Sequence, residues 1–283
     1  MQFRSTADGA GTATLDELVA RLARHDAVDG VLLMGSTGTA ALTPTSDYDL
    51  LVVLTDLPAP LRMVTTWVGD RLTEVYCTTT AALDRIVAEP SAWSGNSEEA
   101  IVFSWLTTGR VVYDRVGRLR QTQAAAQHAP PPVPHEREAY DAWRHIGYSV
   151  VQMRRYLAAS DAASRIAVDL RLLYGLFEVV LAYFAVRGVP WRGEKEAIRY
   201  WEEHDPAYLG DFRACLAESD QGRKAACYVE LARRALDPVG GLWEPGTTTV
   251  APGAGYGSGA TPPAGTVEDA LGFWRELSGD GSG

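Results

Sequence analysis

The chain has 283 residues, 46% of them hydrophobic and 22% charged, with a formal net charge of −10. That size and balance fit two soluble domains with sizeable cores. The acidity excludes a non-specific nucleic-acid binder, because phosphate backbones demand a basic surface.

The cysteines, Cys77, Cys215 and Cys227, are odd in number and lack metal-ligand spacing. A reduced, cytoplasmic chain is therefore expected. The first residues carry no apolar signal region. The longest apolar run, 172–186, is interrupted by Glu178 and is too short to span a bilayer. No membrane partner is expected.

Residues 14–24 read as the first helix. Thr14 and Glu17 form a capping box, and Leu15, Leu18, Val19 and Leu22 lie on one stripe. Residues 31–34 then make a short strand closed by Gly35-Ser36. Residues 50–54, Leu-Leu-Val-Val-Leu, read as a strand buried on both faces, and Asp47-Tyr48-Asp49 stands at its head. Residues i and i+2 of a strand share a face, about 7 Å apart along the chain, so Asp47 and Asp49 would stand side by side. Two like charges there repel unless a cation sits between them. The economical reading is a hard divalent metal, Mg²⁺, which takes oxygen ligands and completes its shell with phosphate oxygens. Gly35 allows close backbone approach, and Ser36 offers its N–H and hydroxyl to a phosphate.

This pattern, Gly-Ser, ten residues, then Asp-x-Asp at the head of an apolar strand, resembles the nucleotidyltransferase superfamily typified by DNA polymerase β. The finer resemblance is to the aminoglycoside adenylyltransferases, whose Pro-x-Ser-Asp approach is matched by Pro44-Thr45-Ser46-Asp47.

Residues 61–68 read as a short helix stopped by Gly69. Residues 72–78 make a third strand with Glu74 in its middle. The resemblance implies that Glu74, in Leu72-Thr73-Glu74-Val75, is the general base for the acceptor hydroxyl and also a possible metal ligand. The bland alternative is an edge-strand glutamate facing water. Helices follow at 81–88 and 98–107. Trp93 and Trp105 are similar in placement to adenylyltransferase tryptophans, one of which could stack on an acceptor ring; core packing is the competing reading. A last short strand at 110–115 closes the first domain near Arg118.

Residues 121–134 contain Pro-Pro-Pro-Val-Pro and read as a stiff linker. The period then changes to 3.6. Helices are expected at 135–159, 165–187, 194–204, 209–219 and 223–236. Glu178, midway along an apolar helix, needs a partner. It pairs with an arginine of a neighbouring helix, or it faces a cleft and binds an amino group of the acceptor. The segment 187–201 resembles an adenylyltransferase segment in which a lysine opens a helix ending with a tryptophan. The resemblance makes Lys195 a phosphate-binding residue, with Arg192 as a substitute and a solvated lysine as the alternative. Residues 245–265, rich in Gly, Pro and Thr, read as a flexible linker, and 266–277 as a short terminal helix.

The expected fold class is α+β. A nucleotidyltransferase domain at 1–120, a small mixed sheet with helices, is followed by the linker, an all-α helical bundle at 135–240, and a flexible tail at 241–283. The expected reaction moves AMP from ATP, or a nucleoside monophosphate from another NTP, to a hydroxyl of a small molecule. A cationic acceptor such as an aminoglycoside-type antibiotic would suit the acidic chain. Two other classes compete: an antitoxin-type enzyme that modifies proteins, and a non-catalytic nucleotide-binding protein. A monomer or a homodimer fits equally.

Overall fold

The computed structural model describes residues 14–38, 43, 46–57, 59–159, 161–253 and 265–278. The chain divides into two units, Met1–Val133 and Pro134–Gly283.

The first unit is built on a five-stranded mixed sheet of order β3-β4-β2-β1-β5. The strands are β1 (Val28–Leu33), β2 (Tyr48–Leu54), β3 (Met63–Val68), β4 (Arg71–Thr79) and β5 (Arg110–Asp114). β2 runs antiparallel to β1 and parallel to β4. The apolar run of β2 is buried on both faces. Leu51 and Val53 join Leu32 and Met34 against α2 (Thr80–Ala88), α3 (Glu98–Thr108) and α4 (Arg118–His128). Leu50 and Val52 join Val31, Leu33 and Val75 on the other face, under the stripe of α1 (Leu15–Arg24). The capping box of α1 is formed: Glu17 N donates to Thr14 Oγ1 at 3.3 Å and Thr14 N to Glu17 Oε2 at 2.9 Å.

Two expectations are corrected here. Residues 61–68 are not a helix; 63–68 form β3, an edge strand antiparallel to β4. Val64, Thr65, Thr66, Trp67 and Val68 are β-branched or aromatic, and such residues favour a pleated surface. Gly69, at φ +62°, makes the turn rather than a helix stop. Residues 121–128 are not linker but the body of α4. The Asp114 carboxylate caps its first turn, accepting from Leu119 N at 3.3 Å and Arg120 N at 2.9 Å.

The second unit is helical, with α5 (Glu136–Ala158), α6 (Ala162–Ala185), α7 (Glu194–His204), α8 (Pro206–Ala217), α9 (Gln221–Leu236) and α10 (Val267–Ser278). Ile146, Val150 and Met153 of α5 pack with Val168, Leu172, Val179 and Tyr183 of α6, around Trp201, Tyr208 and Tyr228. α6 starts earlier than its apolar run, because Asp161 caps it by accepting from Ser164 N at 2.9 Å.

The tail is corrected in its first part. Tyr140 Oη donates to Val250 O at 2.9 Å, Trp143 Nε1 to Gly241 O at 2.8 Å, and Arg137 Nη2 to Pro252 O at 3.0 Å. Residues 241–253 are thus tied along α5. Among the described residues no helix is long and apolar enough to cross a membrane.

Candidate active site

The site forms where β1 and β2 turn back on each other. The last bonds of that pair bring Met34 N to Asp49 O at 2.9 Å. Residues Gly35–Gly38 then make one 3₁₀ turn at the mouth of β1. Gly35 has φ +51°, and a Cβ built on it would lie 2.9 Å from Asp49 Oδ2. Its backbone conformation and the adjacent carboxylate both require glycine. The side chain of Ser36 lies outside the described residues, so its hydroxyl is not placed.

Thr37 is the buried link between the turn and the aspartates. Its Oγ1 accepts from Asp49 N at 3.1 Å and donates to Asp47 O at 3.2 Å. Asp47 lies just before β2 rather than within it, and its side chain is exposed. Asp49 is the second residue of β2 and is half-buried.

Glu74 reaches the same place from the neighbouring strand. β2 and β4 are parallel, with Asp49 directly opposite Glu74. Facing residues of adjacent strands share a side of the sheet, here the side covered by α2 to α4. Burial, then the charges of Asp47 and Glu74, push the Asp49 carboxyl up from 3.8 to about 6. Asp49 thus feels both of the other carboxylates. Among the described residues, no group of three or more His, Cys, Asp or Glu is already arranged as a metal-holding cluster. The donor set nevertheless fits a hard divalent cation. All three groups offer oxygen, and mutual repulsion is the property a bound cation would relieve.

Sequence reasoning missed three supporting residues. Thr37 is one. Tyr76 is the second: its Oη donates to Glu74 Oε2 at 2.8 Å, and burial with that bond pushes the phenol up to about 12. Arg71 is the third. Its Nη1 donates to Thr43 O and Ser46 O, both at 2.7 Å, and its guanidinium lies 5.3 Å over the Tyr48 ring. It fixes the chain leading into Asp47. The i, i+2 relation of Tyr76 to Glu74 within one strand was the available signal for Tyr76.

Trp105 lies on α3 with its ring 4.7 Å from that of Tyr76. It packs on the residue that holds Glu74. Trp93 lies under the Arg85 guanidinium at 5.7 Å.

The other candidates belong to the second unit. Glu178 does not pair with an arginine: its Oε1 lies 2.9 Å from His145 Nε2 on α5. Its Oε2 is buried without a hydrogen-bond partner. His145 of α5 thus stands level with Glu178 of α6. Lys195 is exposed in the first turn of α7, and Arg192 is exposed just before it.

No protein-family model matches the chain, and no curated protein matches it. Among solved structures, a nucleotidyltransferase-like protein from Exiguobacterium sibiricum 255-15 aligns with a TM-score of 0.42 and 11% identity, over 78% of this chain and 73% of its own. A likeness at that level carries no argument about activity.

Proposed function

We propose that the protein is a nucleotidyltransferase that moves a nucleoside monophosphate, AMP from ATP, to a hydroxyl of a small molecule. One observation carries the reading. Asp49, the second residue of β2, faces Glu74, the fourth residue of β4, Asp47 adds its charge, and the adjoining turn leaves no room for a Cβ at Gly35. The Gly-Ser…Asp-x-Asp pattern supports it from the sequence.

Asp47, Asp49 and Glu74 would hold Mg²⁺, which when bound offsets the charge of the triphosphate. The Gly35-Ser36 turn takes the terminal phosphates. Glu74 accepts the proton of the acceptor hydroxyl as that oxygen bonds to the α-phosphorus. The bond from the α-phosphorus to its bridging oxygen breaks, and pyrophosphate leaves. Tyr76 holds Glu74 in place through the whole step. Thr37 fixes the backbone of both aspartates, so positioning does most of the work. The chain has two lysines, Lys195 and Lys224, and Lys195 is assigned the leaving pyrophosphate. A cationic acceptor such as an aminoglycoside suits the net charge of −10.

The test is transfer of label from α-labelled ATP, with Mg²⁺, to pooled small molecules and to pooled proteins. Labelled small molecules support the reading. Labelled protein shifts it to the antitoxin-type class. No transfer by the wild type, with nucleotide still bound, makes it a binding protein. Asp47→Asn and Asp49→Asn should abolish transfer without unfolding the chain. Glu74→Gln should cost about 10²–10⁴ in rate while nucleotide binding survives.

A further inference from the structure

The second unit carries two apolar helix faces that the described residues cover only in part: Phe177 of α6 meets Trp191 edge-on, and Val267 and Ala270 of α10 are half-buried. On α6, Ile166, Leu170, Leu173 and Phe177 are 62%, 56%, 75% and 47% exposed. Their spacing, four-three-four, is the a/d seam by which one helix packs along another. On α10, Val267, Ala270, Trp274 and Leu277 repeat at three-four-three, with Trp274 and Leu277 49% and 65% exposed. No residue of α10 is buried. Its charged residues, Glu268, Asp269, Arg275 and Glu276, lie off that seam.

We propose that α10 packs its seam against the α6 seam of the same chain, antiparallel to it. α10 has 12 residues. Isolated helices below about 12–15 residues are marginal in water, so this one needs a packing partner. The two seams have the same length of four positions. On one flank the α6 seam opens at Leu173 and Phe177 into an apolar cavity of about 470 Å³, also walled by Trp191, Trp201, Phe212 and Leu216. Leu271 and Phe273 lie on opposite flanks of the α10 seam, so one of them supplies the apolar bulk to enter it.

Reach and direction follow from the anchor. α5 and α6 are antiparallel, since His145 meets Glu178 and Ser149 meets Arg171. Pro252, held by Arg137, is therefore level with the C-terminal end of α6. From Gly253 to Gly265 the chain can span at most about 40 Å, at 3.3–3.6 Å per residue. The 24-residue α6 is about 36 Å long. Placing Val267 beside Phe177 and Leu277 beside Ile166 uses the shorter path.

The test is a disulfide trap in the full chain. Ile166→Cys with Leu277→Cys should cross-link within one chain about tenfold faster than Ile166→Cys with Arg275→Cys, which sits on the opposite side of α10, because docking raises the effective concentration of one face. Peptide mass mapping separates the new bond from the native thiols, and light scattering gives the mass. Hydrogen exchange supplies a second readout: Leu170→Asp, at an exposed position, should speed exchange of the α10 amides about tenfold. Equal cross-linking of the two pairs, or α10 exchange indifferent to Leu170→Asp, overturns the proposal. A cross-linked dimer also overturns it, and makes a second copy the occupant.

Discussion

Asp49 is the residue at which the energetics of the site can be measured. Burial and two neighbouring carboxylates raise it from 3.8 to about 6. A carboxyl raised on folding contributes stability that is complete below its unfolded value and is lost as pH rises through its folded value. The metal-free protein should therefore lose this contribution between pH 3.8 and about 6. Asp49→Asn has no such loss. The two proteins should melt alike near pH 4, and the variant should be more stable at pH 7, by about 1–2 kcal/mol once solvent screening is allowed for. Melting curves in chelator across that range measure the gap, and Mg²⁺ should close it. A gap independent of pH would remove the repulsion from the account. Gly35→Ala tests the same carboxylate from the other side. It forces a Cβ into a left-handed conformation 2.9 Å from Asp49 Oδ2, so a stability loss of about 1–3 kcal/mol is expected together with a weaker response to Mg²⁺. Retention of both, by calorimetry, would dismiss the close approach. The carboxylates were legible in the sequence because acids at the head or middle of apolar strands break a pattern. Thr37 and Arg71 were not, because each acts through a contact that no local period records, whereas Tyr76 shares a strand face with Glu74 two residues away. Arg71 reaches Thr43 and Ser46 across 28 and 25 residues.

At the scale of elements, the strands and helices with strong periodicity were legible, and those shaped by context were not. β2 could be read from five consecutive apolar residues. β3 could not, since Met63 to Val68 is too short to separate a strand from a helix turn until its partner β4 is known. α4 has few apolar residues; Leu119 and Ala126 are buried, and it is fixed instead by side-chain bonds such as Gln123 Nε2 to Leu106 O and Gly109 O, both 2.8 Å. The segment 241–253 looked flexible because Gly, Pro and Thr dominate it, yet α5 holds it. Gly147 shows how closely: a Cβ there would overlap the Trp243 indole. Gly147→Ala should expel that indole, with a loss of about 1–3 kcal/mol and a red shift of tryptophan emission. Unchanged melting and emission would mean that the segment does not rest on α5 in solution.

The two units differ in kind, and their division sets the last prediction. Met1–Val133 has hydrophobic clusters on both sides of its sheet, and Pro134–Gly283 has its own cluster centred on α5, α6 and α9. Each buries its own apolar surface, which is the condition for folding alone. The carboxylates all belong to the first unit, but residues 1–133 contain no lysine, and Arg71 is occupied by two carbonyls. A triphosphate bound there would lack a free ammonium for its terminal groups. The function proposed above assigns that charge to Lys195. A chain ending at Val133 should then fold and respond to Mg²⁺ yet lose tight ATP binding. In the full chain, Lys195→Ala should weaken ATP more than AMP, since the missing charge faces the β- and γ-phosphates. An ammonium–phosphate contact is worth about 1.5–3 kcal/mol when well formed, so the expected loss for ATP is roughly tenfold to a hundredfold. Calorimetric titration of both nucleotides decides it. Equal losses for AMP and ATP, or none, would remove Lys195 from the site and leave Arg192 as the cation to substitute next.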